Sequence, residues 1–254
     1  MNSWTPKLSE RFPEQYETLR GIVRQRLAHR QIREHLQAPP SRVCDVGGGA
    51  GHQAIPLACL GYEVTILDPS EEMLQKAWES LASEDEPVRE RVRLVHGTGE
   101  AASQMLGRES FDAVLCQGVI MYLEDPGPLV ESLADISRPG AIVSILTKNA
   151  DALAMRPALE GRYRDALTAF NAVRDRGRLG VTTQAHSVEE LSGMLEDNGI
   201  GTERWYGIRA LTDHLGNQRP GPDLEDMLAA EWEAGRRDPY RGVACMLHVI
   251  GRKR

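Results

Sequence analysis

The sequence predicts one α/β domain organised around a mostly parallel sheet, and three observations predict it. Between residues 42 and 148, short β-branched runs alternate with helical segments, and a strand can return parallel to its predecessor only through such a crossover. The first of these strands, RVCDV, runs straight into the glycines of GGGAG. The composition, 41% hydrophobic and 26% charged over 254 residues, is that of a globular chain long enough to bury a sizeable core.

In chain order, Leu19, Ile22, Val23, Leu27, Ile32 and Leu36 recur at helical spacing before Pro39-Pro40, which predicts an amphipathic helix capping the sheet. Strands follow near 42–46, 63–68, 91–96, 112–117 and 141–147, separated by helices near 51–60, 70–82, 99–106 and 126–137. The alternation stops beyond Lys148, and residues 149–185 read as an Arg-rich insertion of weak helical character. Ser187 and Glu190 form a capping-box signature for a helix ending near Asn198-Gly199. A strand at 202–210, a helix at 223–235 and a final strand at 242–251 complete the chain and suggest an antiparallel edge on the parallel sheet. The expected organisation is therefore one domain over 1–254: an N-terminal helical cap (1–40), a core (41–148), a helical lid insertion (149–185) and the C-terminal half of the sheet (186–254).

Composition excludes several classes of function. The longest apolar stretches, such as Ala141 to Leu146, fall far short of the roughly 20 residues that cross a bilayer, so no membrane partner is expected. The opening residues MNSWTPKLSERFPEQ lack the apolar core of a secretory signal, so the expected location is cytoplasmic. Cys44, Cys59, Cys116 and Cys245 lack CxxC spacing and read as buried reduced thiols. The histidines show no HxxxH or HExxH arrangement, so no metal is expected. A net charge of -7 opposes gross attraction to nucleic acid, although a local basic surface could still bind it. The six arginines between 156 and 178 face Glu160, Asp165 and Asp175, a local excess that reads either as a solvated helix face or as an anion-recognising surface.

Chemistry concentrates at Val43 to Gly51, VCDVGGGAG. Glycines there allow a sharp turn and close approach to a ligand, with the next helix offering unpaired N–H groups. A GxGxxG dinucleotide fingerprint beginning at Gly47 would need glycine where His52 stands, so that reading fails. Asp68 ends the second strand about twenty residues later, placed to accept both ribose hydroxyls of an adenosine or to cap the helix starting near Glu71. Gly47, Gly49 and Gly51, with Asp45 two residues upstream of the turn, resemble motif I of class I S-adenosylmethionine-dependent methyltransferases. That likeness implies a Rossmann-like fold with a seven-stranded sheet, and S-adenosylmethionine as the cofactor. HGTGEAA (96–102) and CQG (116–118) stand where that family surrounds the adenine and the methionine part of the cofactor, respectively.

The whole chain resembles the tRNA 5-carboxymethoxyuridine methyltransferase family, which esterifies a carboxylate on a wobble uridine. The likeness runs through GIVRQ (21–25), the core motifs, YGIRALTDHL (206–215) and EAGRRDPYRGVACMLHVIGRK near the end. It implies that Arg24 reaches the methionine carboxylate, Gly47 and Gly48 supply the backbone turn with Asp45 and Gly49 beside them, and Asp68 holds the ribose. Gly99 and Glu100 would line the adenine and Gln117 the methionine moiety. The chain departs from the family pattern at Thr98, where an acid is commoner, at Gln117, where histidine is usual, and at RDRGRLG (174–180), which replaces a lysine-rich stretch.

Tyr122, Arg209 and Tyr240 are the candidates to contact the acceptor; Tyr240 could equally pack at a strand entry. A carboxylate acceptor is already ionised and needs no general base, only orientation by an arginine, so no catalytic residue is assigned. The expected partner is tRNA or a small anionic substrate. A small-molecule methyltransferase, or a cofactor-binding protein without turnover, remains an alternative because a fold does not fix its substrate.

Overall fold

The computed structural model describes residues 17–176 and 181–254. The first part of the N-terminal cap and Arg178 of the basic segment lie outside the described residues. Helix α1 (Leu19–Arg33) starts at Thr18, whose side chain accepts from the Gly21 N–H, and buries Leu19, Val23, Leu27 and Ile32. It is thus a core element, packed on the helix Leu224–Gly235 and the strand Ile200–Ile208.

The alternation that follows is as the sequence spacing suggests: β1 (Arg42–Val46), α2 (Ala54–Cys59), β2 (Glu63–Asp68), α3 (Glu71–Ala82), α4 (Glu86–Glu90), β3 (Val92–His96), α5 (Ala102–Leu106), β4 (Phe111–Gln117), α6 (Gly127–Ile136) and β5 (Ser137–Lys148). Helix α4 was not expected, and β5 begins four residues early because Ser137 already pairs with Phe111 across a register shift. The insertion folds into two short helices, α7 (Met155–Leu159) and α8 (Tyr163–Ala169), and a hairpin of β6 (Arg174–Arg176) and β7 (Thr182–Gln184). Helix α9 (Val188–Asp197) carries the complete capping box between Ser187 and Glu190. Then come β8 (Ile200–Ile208), α10 (Leu224–Gly235) and β9 (Met246–Lys253). β9 starts later than expected because Tyr240–Val243 forms a 3₁₀ turn.

The seven strands lie in the order β3-β2-β1-β4-β5-β9-β8. β1 to β5 are parallel, and the one antiparallel strand, β9, is wedged between β5 and β8 rather than lying outermost. Strands buried on both faces need continuous apolar runs, and VCDV, VTIL and AVLC supply them. Of the cysteines, all free, Cys44 and Cys116 are buried and Cys245 is partly so. Cys59 corrects the expectation of a buried thiol: it is exposed, because it ends α2 on the face turned from the sheet. Among the described residues no helix is long and apolar enough to cross a membrane.

Candidate functional site

The carboxyl ends of the parallel strands gather the chemistry. After β1 the chain turns through Gly47, Gly49 and Gly51 at φ +69°, +54° and +80°, conformations that side chains with a Cβ rarely adopt. Space requires glycine as well: a Cβ on Gly47 would stand 2.4 Å from Val119 Cγ2, and one on Gly48 2.8 Å from the Asp45 carboxyl group. Asp68, at the end of β2, is the hub of this turn. Its Oδ2 accepts from the Gly49 N–H at 2.9 Å and its Oδ1 from the Ser70 N–H at 2.9 Å. The cap of α3 is Ser70, whose side chain accepts from Met73, so Asp68 is not the capping residue. Burial pushes the Asp68 carboxyl above its ordinary value, and the two N–H donors oppose that rise.

A cavity of about 100 Å³ opens over this turn, and Gly47, Gly48, Gly49, Asp68, Thr98, Gly99, Glu100, Gln117 and Tyr122 all line it. Gly99 and Glu100 sit on a 3₁₀ turn at the start of α5, where a Cβ on Gly99 would strike Leu129 Cδ1 at 2.4 Å. A second, narrower space of about 30 Å³ adjoins it through Gln117, Gly47 and Gly48, and is closed by Arg24, Gln25, Asp45, His52 and Gln53. Arg24 of α1 reaches across to Gly118 after β4, its Nη1 lying 3.6 Å from where a Gly118 Cβ would be. Asp45 is 2% exposed, and burial, then the neighbouring Asp68 charge, pushes its carboxyl up to about 7. Burial, then the Arg24 charge, pushes His52 down to about 4. Gln117 donates through Nε2 to the Ser144 carbonyl at 3.0 Å and to its Oγ at 2.9 Å.

All nine residues expected around the cofactor therefore line these two adjoining spaces. The residues that the sequence left unmarked are those that hold α1 in place: Gln25 donates to the His52 carbonyl at 3.0 Å, and Gln53 donates to the Gln25 carbonyl at 3.1 Å. Gln25 lies inside the GIVRQ segment already singled out, which was the available signal.

Further along the same sheet edge, beyond β5, β9 and β8, lies a cavity of about 290 Å³. Five cationic side chains line it, Lys148, Arg156, Arg162, Arg174 and Arg209, against three carboxylates, Asp165, Asp175 and Asp213. Asp213 is faced by Arg209 at 3.4 Å, Arg20 at 3.6 Å and Arg156 at 3.9 Å. Burial would raise its carboxyl, but these three charges together hold it below its ordinary value. Arg209 takes a left-handed backbone, φ +62°, and its Nη2 donates to Cys245 Sγ at 3.3 Å. Its loop hangs on Glu231 of α10, fully buried, which accepts from the N–H groups of Ala210, Leu211 and Thr212 and from the Thr212 hydroxyl.

Of the three residues expected to meet the acceptor, Arg209 lines this cationic cavity and Tyr122 lines the cleft over the glycine turn. Tyr240 lines neither; it is 53% exposed on its 3₁₀ turn, while Val243 of the same turn faces the cavity. The basic segment divides likewise: Arg156, Arg162 and Arg174 line the cavity, while Arg164 is exposed on α8 and lines neither space. The insertion is tied to both regions. Lys148 Nζ bonds Asp175 and Thr183, and Gln184 Nε2 donates to the carbonyls of Leu123 and Glu124, next to Tyr122.

Residues 44–145 match the family described as a methyltransferase domain. The tRNA 5-carboxymethoxyuridine methyltransferase of Escherichia coli (strain K12) is 26% identical over 97% of this chain and 94% of its own length. The ubiquinone biosynthesis O-methyltransferase of Xanthomonas campestris pv. campestris (strain B100) is 31% identical, over 51% of this chain and 52% of that protein. The crystal structure of the Burkholderia thailandensis 1,6-didemethyltoxoflavin-N1-methyltransferase, solved with S-adenosylhomocysteine, shares the fold at a TM-score of 0.58. It is 17% identical, over 91% of this chain and 78% of that one. The chain is an S-adenosylmethionine-dependent methyltransferase with the Rossmann-like class I fold.

Proposed function

We propose that the chain methylates a carboxylate, or another anionic oxygen, on an acceptor held in the cationic cavity. The observation that carries this reading is the lining of that cavity, where Lys148, Arg156, Arg162, Arg174 and Arg209 stand against Asp165, Asp175 and Asp213. Partly buried positive charge in excess of its counter-charge favours an incoming anion, and guanidinium groups fit carboxylates in pairs of hydrogen bonds. The whole-chain likeness to an enzyme named for 5-carboxymethoxyuridine in tRNA supports a carboxylated nucleotide as that acceptor.

The residues of the first cleft suit the cofactor. Asp68 is already oriented by two N–H donors, leaving its outer lone pairs for ribose hydroxyls. The glycine turn leaves room that any Cβ would take, and Arg24 lies where it can meet a carboxylate. When bound, S-adenosylmethionine supplies an electrophilic methyl group on a sulfonium. A carboxylate acceptor is ionised at neutral pH, so no side chain has to remove a proton. Arg209 and its neighbours orient the anion, Tyr122 stands at the rim between cleft and insertion, and the insertion excludes water.

Kinetics with carboxymethoxyuridine-containing tRNA tests this reading. Arg209→Ala should raise KM for the acceptor at least tenfold and leave cofactor Kd unchanged, and KM of the parent should rise with salt. Unchanged acceptor kinetics, or turnover only with neutral acceptors, would refute it. A small-molecule anion is the second reading: a cavity near 290 Å³ matches a small ligand, and the net charge of -7 works against a polyanion. Mass spectrometry of wobble nucleosides from a deletion strain separates the two.

A further inference from the structure

The insertion carries its large apolar side chains on the outside. Tyr163 and Leu167 of α8, and Phe170 just past its end, are 70%, 70% and 72% exposed. Spaced by four and three residues, they share one face of the helix. Leu159 before the helix and Val173 after it are also more than half exposed. The opposite side of α8 belongs to the cationic cavity, which Asp165 and Ala169 line. Of the seven residues of α8 only Ala166 is buried. Helices shorter than about 12 residues are marginal in water unless an apolar face is packed, and the apolar face of α8 is the one turned to solvent.

Size and order identify what covers it. Aromatic side chains present roughly 150–250 Å² each, so this face amounts to about 600 Å² of apolar surface. Monomers rarely leave more than about 300–600 Å² bare in one patch. With a polar rim the face approaches the roughly 800 Å² per partner of a stable association. In chain order the five residues are Leu159, Tyr163, Leu167, Phe170 and Val173, an alternation of aliphatic and aromatic that reads the same in both directions. A two-fold axis at Leu167 sets Leu167 on its own copy, Tyr163 against Phe170 and Leu159 against Val173, which is the self-complementarity an isologous contact requires. The five side chains bear no charge, Arg162 is already paired with Glu160 and Asp165, and the chain as a whole carries -7, all of which disfavours a polyanion here.

We infer that α8 pairs antiparallel with α8 of a second copy of this chain, so that each copy braces a wall of the other's cationic cavity. The pairing supplies the packing that α8 lacks within its own chain, and it is independent of which acceptor the cavity takes.

Sedimentation equilibrium of the full chain from about 1 to 100 µM tests this, and the parent should pass from monomer to dimer with a Kd of about 10 µM. Leu167→Glu puts like charges at the axis and should raise that Kd roughly a hundredfold. It should leave Tm and the Kd for S-adenosylhomocysteine unchanged, since Leu167 is exposed and lines neither cavity. Tyr163→Lys and Phe170→Glu should each weaken the dimer, and the double variant, in which each lysine meets the glutamate of the other copy, should restore it. A parent still monomeric at the highest concentration overturns the inference, and so does a dimer that survives Leu167→Glu, because its contact then lies on another face. A monomeric parent that binds single-stranded RNA through this face, with Leu167→Glu abolishing the binding, assigns the stripe to RNA and overturns it too. Weakened single variants without rescue in the double variant overturn the antiparallel pairing. Hydrogen exchange in α8 should slow as the parent dimerises and stay fast in Leu167→Glu; exchange that ignores concentration in the parent overturns the bracing of the cavity wall.

Discussion

Asp45→Asn should stabilise the ligand-free protein above neutral pH and lose most of that benefit in mild acid. Asp45 is buried beside Asp68, and its carboxyl is raised from 3.8 to about 7. A raised carboxyl is neutral in folded and unfolded chains below pH 3.8, so it costs nothing there. Between 3.8 and 7 the unfolded chain ionises and the folded chain resists, so the cost grows with pH and is complete above 7. At about 1.4 kcal/mol per pKa unit the ceiling is about 4 kcal/mol at pH 8, of which some 2–3 kcal/mol should vanish by pH 5. Asparagine has nearly the same shape and no charge to desolvate, so it removes this cost without opening a cavity. Urea unfolding of parent and variant at pH 5, 6.5 and 8, compared at constant m, reads the difference directly. A stabilisation equal at all three pH values would refute the reasoning, and so would destabilisation at pH 8.

Asp68→Ala should weaken S-adenosylmethionine binding by about 1.5–3 kcal/mol in calorimetry, and parent-like affinity would remove the ribose assignment. Gly47→Ala should lower unfolding stability by about 2–4 kcal/mol through its positive φ and the Val119 contact. Gly161→Ala, at φ +74° with nothing within 4 Å of its Cβ, should cost only about 1–2 kcal/mol; equal losses would show that the contact is immaterial. Glu231→Ala leaves three backbone N–H groups without their acceptor and should cost about 3 kcal/mol in urea unfolding while raising acceptor KM; a stable variant with parent KM would show that the Arg209 loop holds itself.

The part of the site that was legible in the sequence is the part encoded locally. Asp45, the glycines and Asp68 are joined by one crossover, so their spacing along the chain fixes their spacing in the molecule. The cationic cavity was not legible as a whole because Lys148, Arg156 and Arg209 come from three separate segments that meet only once β9 enters between β5 and β8. The buried set Gln31, Ser144 and His248 is hidden for the same reason: it forms only where β9 lies beside β5 and α1 packs across them. Within the insertion, RDR and TTQ are too short to show alternation, and their pairing depends on Lys148 holding Asp175 and Thr183. Cys59 was misread because an apolar sequence neighbourhood does not say which face of a short helix a residue takes.

The way the insertion is fastened bears on how such an enzyme could be rewritten. Hydrogen bonds fasten its two ends to the sheet: Lys148 and Asn149 on one side, where Asn149 donates to the Gly242 and Ala244 carbonyls, and Thr183, Gln184 and His186 on the other, while Arg156 between them faces Asp213. The stretch between, from about residue 153 to 175, contributes side chains that line the cationic cavity and little that the sheet depends on. It behaves as an exchangeable cassette clipped into a fixed frame. Grafting a different loop between these clips should change which acceptor is admitted while the glycine turn, Asp68 and Gln117 go on binding the methyl donor as before.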